Sequence, residues 1–220
     1  MWQALIFDLD GTLVDSAPDI HAAGNAVLAA EGLPPVPFDR ARGFIGNGAP
    51  IFVARMEAFS AGENRPDRTA RMVQAFVNRY EHGASRTRPF PGADAALAAL
   101  HAAGLPLGLC TNKPAGPARA LPQHFGWSDF FPVLIGGDTL PTAKPDPAPL
   151  IASAERLGLP PDRVLFVGDS ETDAETAARA GVDFALFTQG YRRTPAAALP
   201  HRLAFDDWSA LPALLAPPSP

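Results

Sequence analysis

The chain has a single cysteine, Cys110, in 220 residues. No internal disulfide can form, which excludes a small secreted scaffold held by cross-links. Lysine is almost as scarce. Apart from Lys113 and Lys144, every basic side chain is arginine or histidine. Long apolar runs are missing too; the longest are strand-sized, so a membrane-spanning helix is excluded. Positive charge is in short supply, with a formal net charge of -5. That balance argues against nucleic acid or an anionic membrane as a main partner. The first residues lead straight into Ala4-Leu5-Ile6-Phe7 with no basic segment and no small-residue cleavage site, so no secretory leader is expected. The apolar neighbours of Cys110 predict a buried thiol, and together these features predict a cytoplasmic protein.

Against those absences stands an excess of proline. The 25 prolines are roughly twice the usual ~5% share, and they cut the chain into short elements. Strand-length apolar runs recur at Ala4–Phe7, Leu105–Cys110, Val133–Ile135, Val164–Val167 and Phe184–Phe187. From the second run onward, helix-like stretches separate them: Asp94–Ala103, Pro147–Leu157 and Glu171–Ala180, each followed by a glycine stop. Apolar strands alternating with amphipathic helices predict an α/β fold, a doubly wound, Rossmann-like parallel sheet covered on both faces. The first strand breaks the rhythm. More than ninety residues separate Thr12 from the second strand, and Asp19–Ala30, Pro50–Phe59 and Thr69–Tyr80 have helical patterns. The expectation is a small α-helical cap over residues 16–86, inserted into a core of residues 1–15 and 87–220. The tail Pro217-Pro218-Ser219-Pro220 is expected to be disordered.

In open parallel sheets, ligands bind beyond the carboxyl ends of the strands. Asp8 and Asp10 follow the first run, Thr111-Asn112-Lys113 the second, and Gly168-Asp169 with Asp173 the fourth, while Lys144 precedes a helix. Acids, a hydroxyl, an amide and an ammonium therefore meet at one edge, a mixture suited to phosphate held between a hard cation and fixed donors. A chain that otherwise uses arginine yet places lysine at two loop positions points to a need for a compact charge there.

These ordered motifs, Asp8-Leu9-Asp10-Gly11-Thr12, Thr111, Lys144 and Gly168-Asp169 with Asp173, resemble those of the haloacid dehalogenase superfamily of aspartate-nucleophile phosphatases. A finer resemblance is to phosphoglycolate phosphatases. It rests on Gly43-Phe44-Ile45-Gly46-Asn47-Gly48, Thr111-Asn112-Lys113-Pro114, Gly136-Gly137-Asp138-Thr139-Leu140 and the run from Lys144 to Leu150. The resemblance implies a Mg2+-dependent phosphate monoester hydrolase acting on a small phosphorylated metabolite, with 2-phosphoglycolate as the expected substrate. It implies Asp8 as nucleophile and Asp10 as acid and base. Asp8, Asp169 and the Asp10 carbonyl would hold the metal, with Asp173 ordering a metal-bound water. Thr111, Asn112 and Lys144 would bind phosphate.

Further expectations are less specific. Asn47 and Gly48 suggest a cap loop that binds the substrate carboxylate, with Arg42 or Arg55 as charge partner; a plain hinge is the alternative. Lys113 reads equally as a phosphate contact or a surface residue, and Asp15 as local support. Pro122 is expected to kink or shorten its helix. The five histidines lack metal-ligand spacing. A phosphomutase, a phosphatase for another small ester or for pyrophosphate, and a non-catalytic binder of the same fold all remain open. The residues 16–86 hold no lysine, which argues against Schiff-base chemistry from the cap. Monomer and homodimer are both compatible with the sequence.

Overall fold

The computed structural model describes residues 2–80 and 85–215. The expected disordered tail and His82 lie outside these residues. Strand β1 (Ala4–Phe7) is followed by β2 (Val14–Asp15) and then by helices α1 (Ala17–Ala30), α2 (Phe38–Arg42), α3 (Ala49–Ala61) and α4 (Pro66–Tyr80). Strand β3 (Arg88–Pro89) pairs antiparallel with β2 and returns the chain to the sheet. The remaining elements alternate: α5 (Ala93–Ala102), β4 (Leu107–Cys110), α6 (Ala115–Phe125), β5 (Val133–Ile135), α7 (Ala148–Arg156), β6 (Val164–Gly168), α8 (Glu171–Ala180), β7 (Asp183–Phe187), β8 (Leu203–Phe205) and α9 (Leu211–Leu215).

Six of these strands form one parallel sheet in the order β5-β4-β1-β6-β7-β8. The order follows from burial on both faces. Along β1, Leu5 and Phe7 point into a cluster with Leu107, Leu109, Leu165, Val167, Trp127 and Trp208. Ala4 and Ile6 point the other way, towards Cys110, Leu150, Phe166 and Leu186. Strand geometry dictates this alternation, and each fully buried Leu or Phe contributes about 1.5–3 kcal/mol. The doubly wound α/β core expected from the sequence is the observed one. Strand β1 lies between β4 and β6, so the sheet order reverses about it. Its carboxyl end is therefore the natural ligand edge.

Helices α1–α4 have a core of their own, built from Val27, Leu28, Phe52, Val53, Met56, Met72 and Phe76. The ends of this unit are tied together by Asp19. Its carboxylate accepts from the Arg86 and Thr87 N–H groups at 3.0 and 2.7 Å, and from the Thr87 hydroxyl at 2.7 Å.

Two expectations need correction. Helix α6 runs three residues beyond Pro122 to Phe125, so the proline does not shorten it. Its missing N–H deprives only the Ala118 carbonyl of an intrahelical donor. The Pro122 carbonyl then closes the helix by accepting from Gly126 and Trp127. The second expected run begins as a strand at Leu107, not Leu105, because Gly104 and Leu105 still turn out of α5. Among the described residues no helix is long and apolar enough to cross a membrane.

Candidate active site

Asp8 leaves β1 in register, its N–H donating to the Val167 carbonyl at 2.8 Å. The chain then folds back sharply, with Gly11 N–H donating to the Val14 carbonyl at 2.9 Å. Gly11 has φ +89°, and a Cβ there would stand 2.6 Å from an Asp169 carboxylate oxygen. Only glycine permits both the turn and that approach. Gly190 presses on Asp169 from another side; its added Cβ would lie 2.2 Å from the Asp169 carboxylate. Asp169 is held in this sleeve by the Thr12 hydroxyl at 2.9 Å and the Tyr191 N–H at 2.5 Å.

Asp173 sits in the first turn of α8, where an acid suits the helix dipole. Together with Ser170 it forms a reciprocal cap worth about 1 kcal/mol. One of its oxygens accepts from the Asp169 N–H, the Ser170 N–H and the Ser170 hydroxyl. The other accepts from Lys144 Nζ at 2.6 Å. The same ammonium stands 2.9 Å from Asp8 Oδ1. Asp8 Oδ1 therefore has the charge beside it, though not in good hydrogen-bond alignment.

Asp8, Asp169 and Asp173 each place an oxygen within 4.8 Å of the others, and all three are buried. Burial drives Asp8 upward from 3.8 to about 6; Lys144 opposes the rise and Asp173 adds to it. Burial also pushes Asp169 well above the ordinary carboxylate range, with Asp173 and Asp8 contributing. For Lys144, burial works against the charge, but Asp173 and Asp8 outweigh it and hold the ammonium above its usual value. One lysine is too little for three buried carboxylates. Such an oxygen-only cluster, with a buried carboxylate oxygen lacking a directed donor, fits a hard divalent cation.

The second lysine lies elsewhere than a surface reading supposes. Lys113 is buried, and its Nζ is 2.9 and 3.2 Å from the two Asp10 oxygens. Ser16 Oγ donates to Asp10 at 2.6 Å as well. Burial lowers the Lys113 ammonium below its ordinary value, with Asp10 opposing. The Asp10 side chain thus stands outside the three-carboxylate cluster, fixed by its own partners.

Asn112 differs from the role the resemblance implies for its side chain. The amide nitrogen donates to the Gly46 and Lys144 carbonyls at 3.1 and 2.8 Å, and the amide oxygen accepts from Lys144 N–H at 2.9 Å. This amide fastens three loops together. Beside it, a Cβ on Gly137 would meet the Asn112 carbonyl at 2.4 Å, and one on Gly136 would meet Ala115 at 2.6 Å. The paired glycines exist to let the loop after β5 lie against the loop after β4.

These residues open on a cavity of about 50 Å³ lined by Asp8, Asp10, Thr111, Asn112 and Lys113 on one side. Gly46, Gly48, Ala49 and the apolar Ile20, Ile45, Phe52 and Phe76 close it from the helical side. Gly48 is the N-cap of α3 at φ +84°, and with Ala49 it places the start of that helix, whose first N–H groups have no intrahelical partner, at the cavity wall. Asn47 does not line the cavity. Its amide donates to Thr172 Oγ1 at 3.0 Å and accepts from Arg55 at 2.9 Å, joining the helical unit to α8. Arg42 and Arg55 also lie outside the cavity. Arg42 donates to the Gly190 carbonyl at 3.0 Å, and Arg55 to the Phe44 carbonyl at 3.2 Å. Neither is placed to pair with a substrate carboxylate.

Asp15 does act as local support, accepting from the Tyr191 hydroxyl at 2.7 Å. Tyr191 itself was not singled out by sequence. Its hydroxyl also accepts from Ser16 and Ala17 N–H, at 2.8 and 3.0 Å, while its backbone holds Asp169. No motif marks it, since its role arises from a loop that returns from β7. Cys110 is fully buried, and burial pushes its thiol up to about 12, which removes it as a nucleophile.

Comparison with known proteins agrees with this geometry. Residues 2–181 match the family model for haloacid dehalogenase-like hydrolases. The chain is 50% identical over 214 residues to a phosphoglycolate phosphatase of Cereibacter sphaeroides, covering 96% of each. It is 41% identical over 190 residues to an N-acetylmuramic acid 6-phosphate phosphatase of Pseudomonas aeruginosa, covering 86% of this chain and 83% of that one. A crystal structure described as a predicted phosphoglycolate phosphatase from Haemophilus somnus superposes with a TM-score of 0.91 at 32% identity, covering 97% of each chain. The chain belongs to the haloacid dehalogenase-like hydrolase family and is a phosphatase within it.

Proposed function

We propose that the chain hydrolyses 2-phosphoglycolate to glycolate and phosphate through an aspartyl-phosphate on Asp8, with Mg2+ as its cation. The observation that carries the reading is Asp8 itself. It lies at the carboxyl end of the central strand, faces a small cavity, and retains a carboxylate oxygen without an aligned donor. Mg2+, held by Asp8, Asp169 and the Asp10 carbonyl, would neutralise phosphate charge and orient the phosphoryl group. Asp173 adds a carboxylate within reach, yet its hydrogen bonds fit it best for aiming Lys144.

The chain's own residues then divide the work. A carboxylate oxygen of Asp8 attacks phosphorus, and the ester P–O bond breaks. Asp10, which takes up a proton as the ester binds, gives it to the departing glycolate oxygen. Water next attacks phosphorus, its proton passes to Asp10, and the Asp8 O–P bond breaks, restoring both acids. Thr111 Oγ1 and backbone N–H groups of the 111–113 segment bind phosphate oxygens, while Lys144 offsets charge building on them. Lys113 and Ser16 hold Asp10 in line.

Residues 16–86 act as a cap, and residues 1–15 with 87–220 as the core. Gly48 and the first N–H groups of α3 face the substrate's carboxylate end, and Asn47 keeps that loop closed over the core. A cytoplasmic location suits an enzyme acting on a free metabolite with a single buried thiol. The Pseudomonas relative raises a larger sugar phosphate as the rival substrate. The small cavity, closed by Ile45, Phe52 and Phe76, favours the two-carbon acid. Ranking kcat/KM with Mg2+ for 2-phosphoglycolate and N-acetylmuramic acid 6-phosphate tests the choice. The reading predicts a clear preference for the smaller ester, and a preference for the sugar phosphate would overturn it.

A further inference from the structure

A second cleft, of about 340 Å³, lies on the seam between α2 and the loop after β7. It shares no lining residue with the catalytic cavity. Arg42 enters from the helical side, Arg192 and Arg193 from the loop, and Thr188 and Thr194 add hydroxyls. Arg55 is close behind: it is held below its ordinary value first by burial and then by the charge of Arg193. The side chain of Arg193 also reaches across the seam, its Cδ 3.9 Å from where a Cβ on Gly43 would stand.

Four guanidiniums thus gather in a protein whose net charge is -5. Among the described residues, none of them stands within ion-pair distance of a carboxylate. Glu171, which borders the loop, is already turned to the loop backbone, accepting from the N–H groups of Arg193 and Thr194 at 2.9 and 2.6 Å. Like charges collected without counter-charge cost stability unless an anion offsets them. Guanidiniums in a cluster are well suited to the oxygens of a phosphate.

We propose that this seam cleft is a binding site for a phosphate-bearing anion, which bridges Arg42 of the cap to Arg192 and Arg193 of the core. The site has a direct route to the reaction. Arg42 lies over the Tyr191 ring at 5.2 Å and bonds the Gly190 carbonyl. Tyr191 holds Asp169 by its backbone and the start of α1 by its hydroxyl. An anion in the cleft therefore favours the closed cap and steadies Asp169 together.

The test uses full-length Asp8→Asn protein, so that no ester is consumed, with calorimetric titration of inorganic phosphate and, separately, of glucose 6-phosphate. The expected result is a second site besides the catalytic one. Its affinity falls by about tenfold or more in the added double substitution Arg42→Ala and Arg193→Ala. The charge reversal R193E abolishes it, while circular dichroism shows an unchanged fold. Occupancy by phosphate alone identifies free phosphate as the ligand; occupancy by glucose 6-phosphate also identifies a phosphate monoester. A single site in the parent protein, or a second site indifferent to these arginines, would falsify the proposal.

Discussion

Lys113 and Asp10 form a buried ion pair that neither residue's sequence context could reveal. A lysine before proline looks the same whether it meets solvent or a carboxylate, and only the return of β4 beside β1 decides it. Lys113→Met is expected to lower kcat by about 10²-fold through misplacement of the acid and base, with a smaller change in KM. Steady-state kinetics would show it, and an unchanged kcat would return Lys113 to a passive role. Asp173 was legible as an acid in a helix's first turn, but its grip on Lys144 was not, because Lys144 comes from a loop 29 residues earlier. Asp173→Asn should reduce kcat roughly 10–100-fold, as expected when a supporting partner is lost. Asp8, Asp169 and Thr111 fall where their positions after strands placed them. The Asn112 side chain does not, since its amide is used up by two carbonyls and an N–H that no local pattern announces.

At the level of elements, strands β1, β5 and helix α8 match their apolar runs residue for residue. Strand β8 was missed because Leu203–Phe205 is three residues long and lies at the sheet's edge. Its pairing with β7 supplies what its pattern lacks. Helix α2 escaped for a similar reason, being five residues long. Among helices α1–α4, Glu57 on α3 ties down α4. It accepts from Arg68 Nε at 2.5 Å, from the Arg65 N–H at 3.2 Å and from the Thr69 hydroxyl. Burial alone would raise the Glu57 carboxyl, but Thr69, Arg68 and Arg65 outweigh it and hold it below the usual range. Because the folded value is depressed, its contribution is present above the ordinary carboxylate pKa. It is lost as pH falls through the lowered value. Glu57→Gln should therefore destabilise the protein by about 3 kcal/mol near neutral pH. The gap between variant and parent should close in acid. Urea midpoints at both ends of that range test this, and a gap independent of pH would contradict it.

Across the whole molecule, the sequence named the layers but not the strand order or the closed seam. Those depend on contacts such as Asn47 with Thr172 and Arg42 with Gly190, which join segments more than a hundred residues apart. The acid cluster also shapes global stability. Asp8 is raised from 3.8 to about 6, so the folded chain keeps a proton there that the unfolded chain has lost. Stability without a cation accordingly declines as pH rises through that interval, and Asp169 acts in the same direction. Mg2+ should offset this, raising the unfolding temperature markedly at about pH 7.5 and little at about pH 5, where protons compete for the same oxygens. Thermal unfolding with Mg2+ or with chelator distinguishes this from a metal effect that ignores pH. The central claim is the covalent step on Asp8, and rapid acid quench during a single turnover of 2-phosphoglycolate, followed by peptide mass spectrometry, addresses it most directly. The predicted result is a phosphoryl group on Asp8 that forms before phosphate release and is absent in Asp8→Asn. Phosphate release at full rate with Asp8 unlabelled, or with the label on another residue, would contradict it.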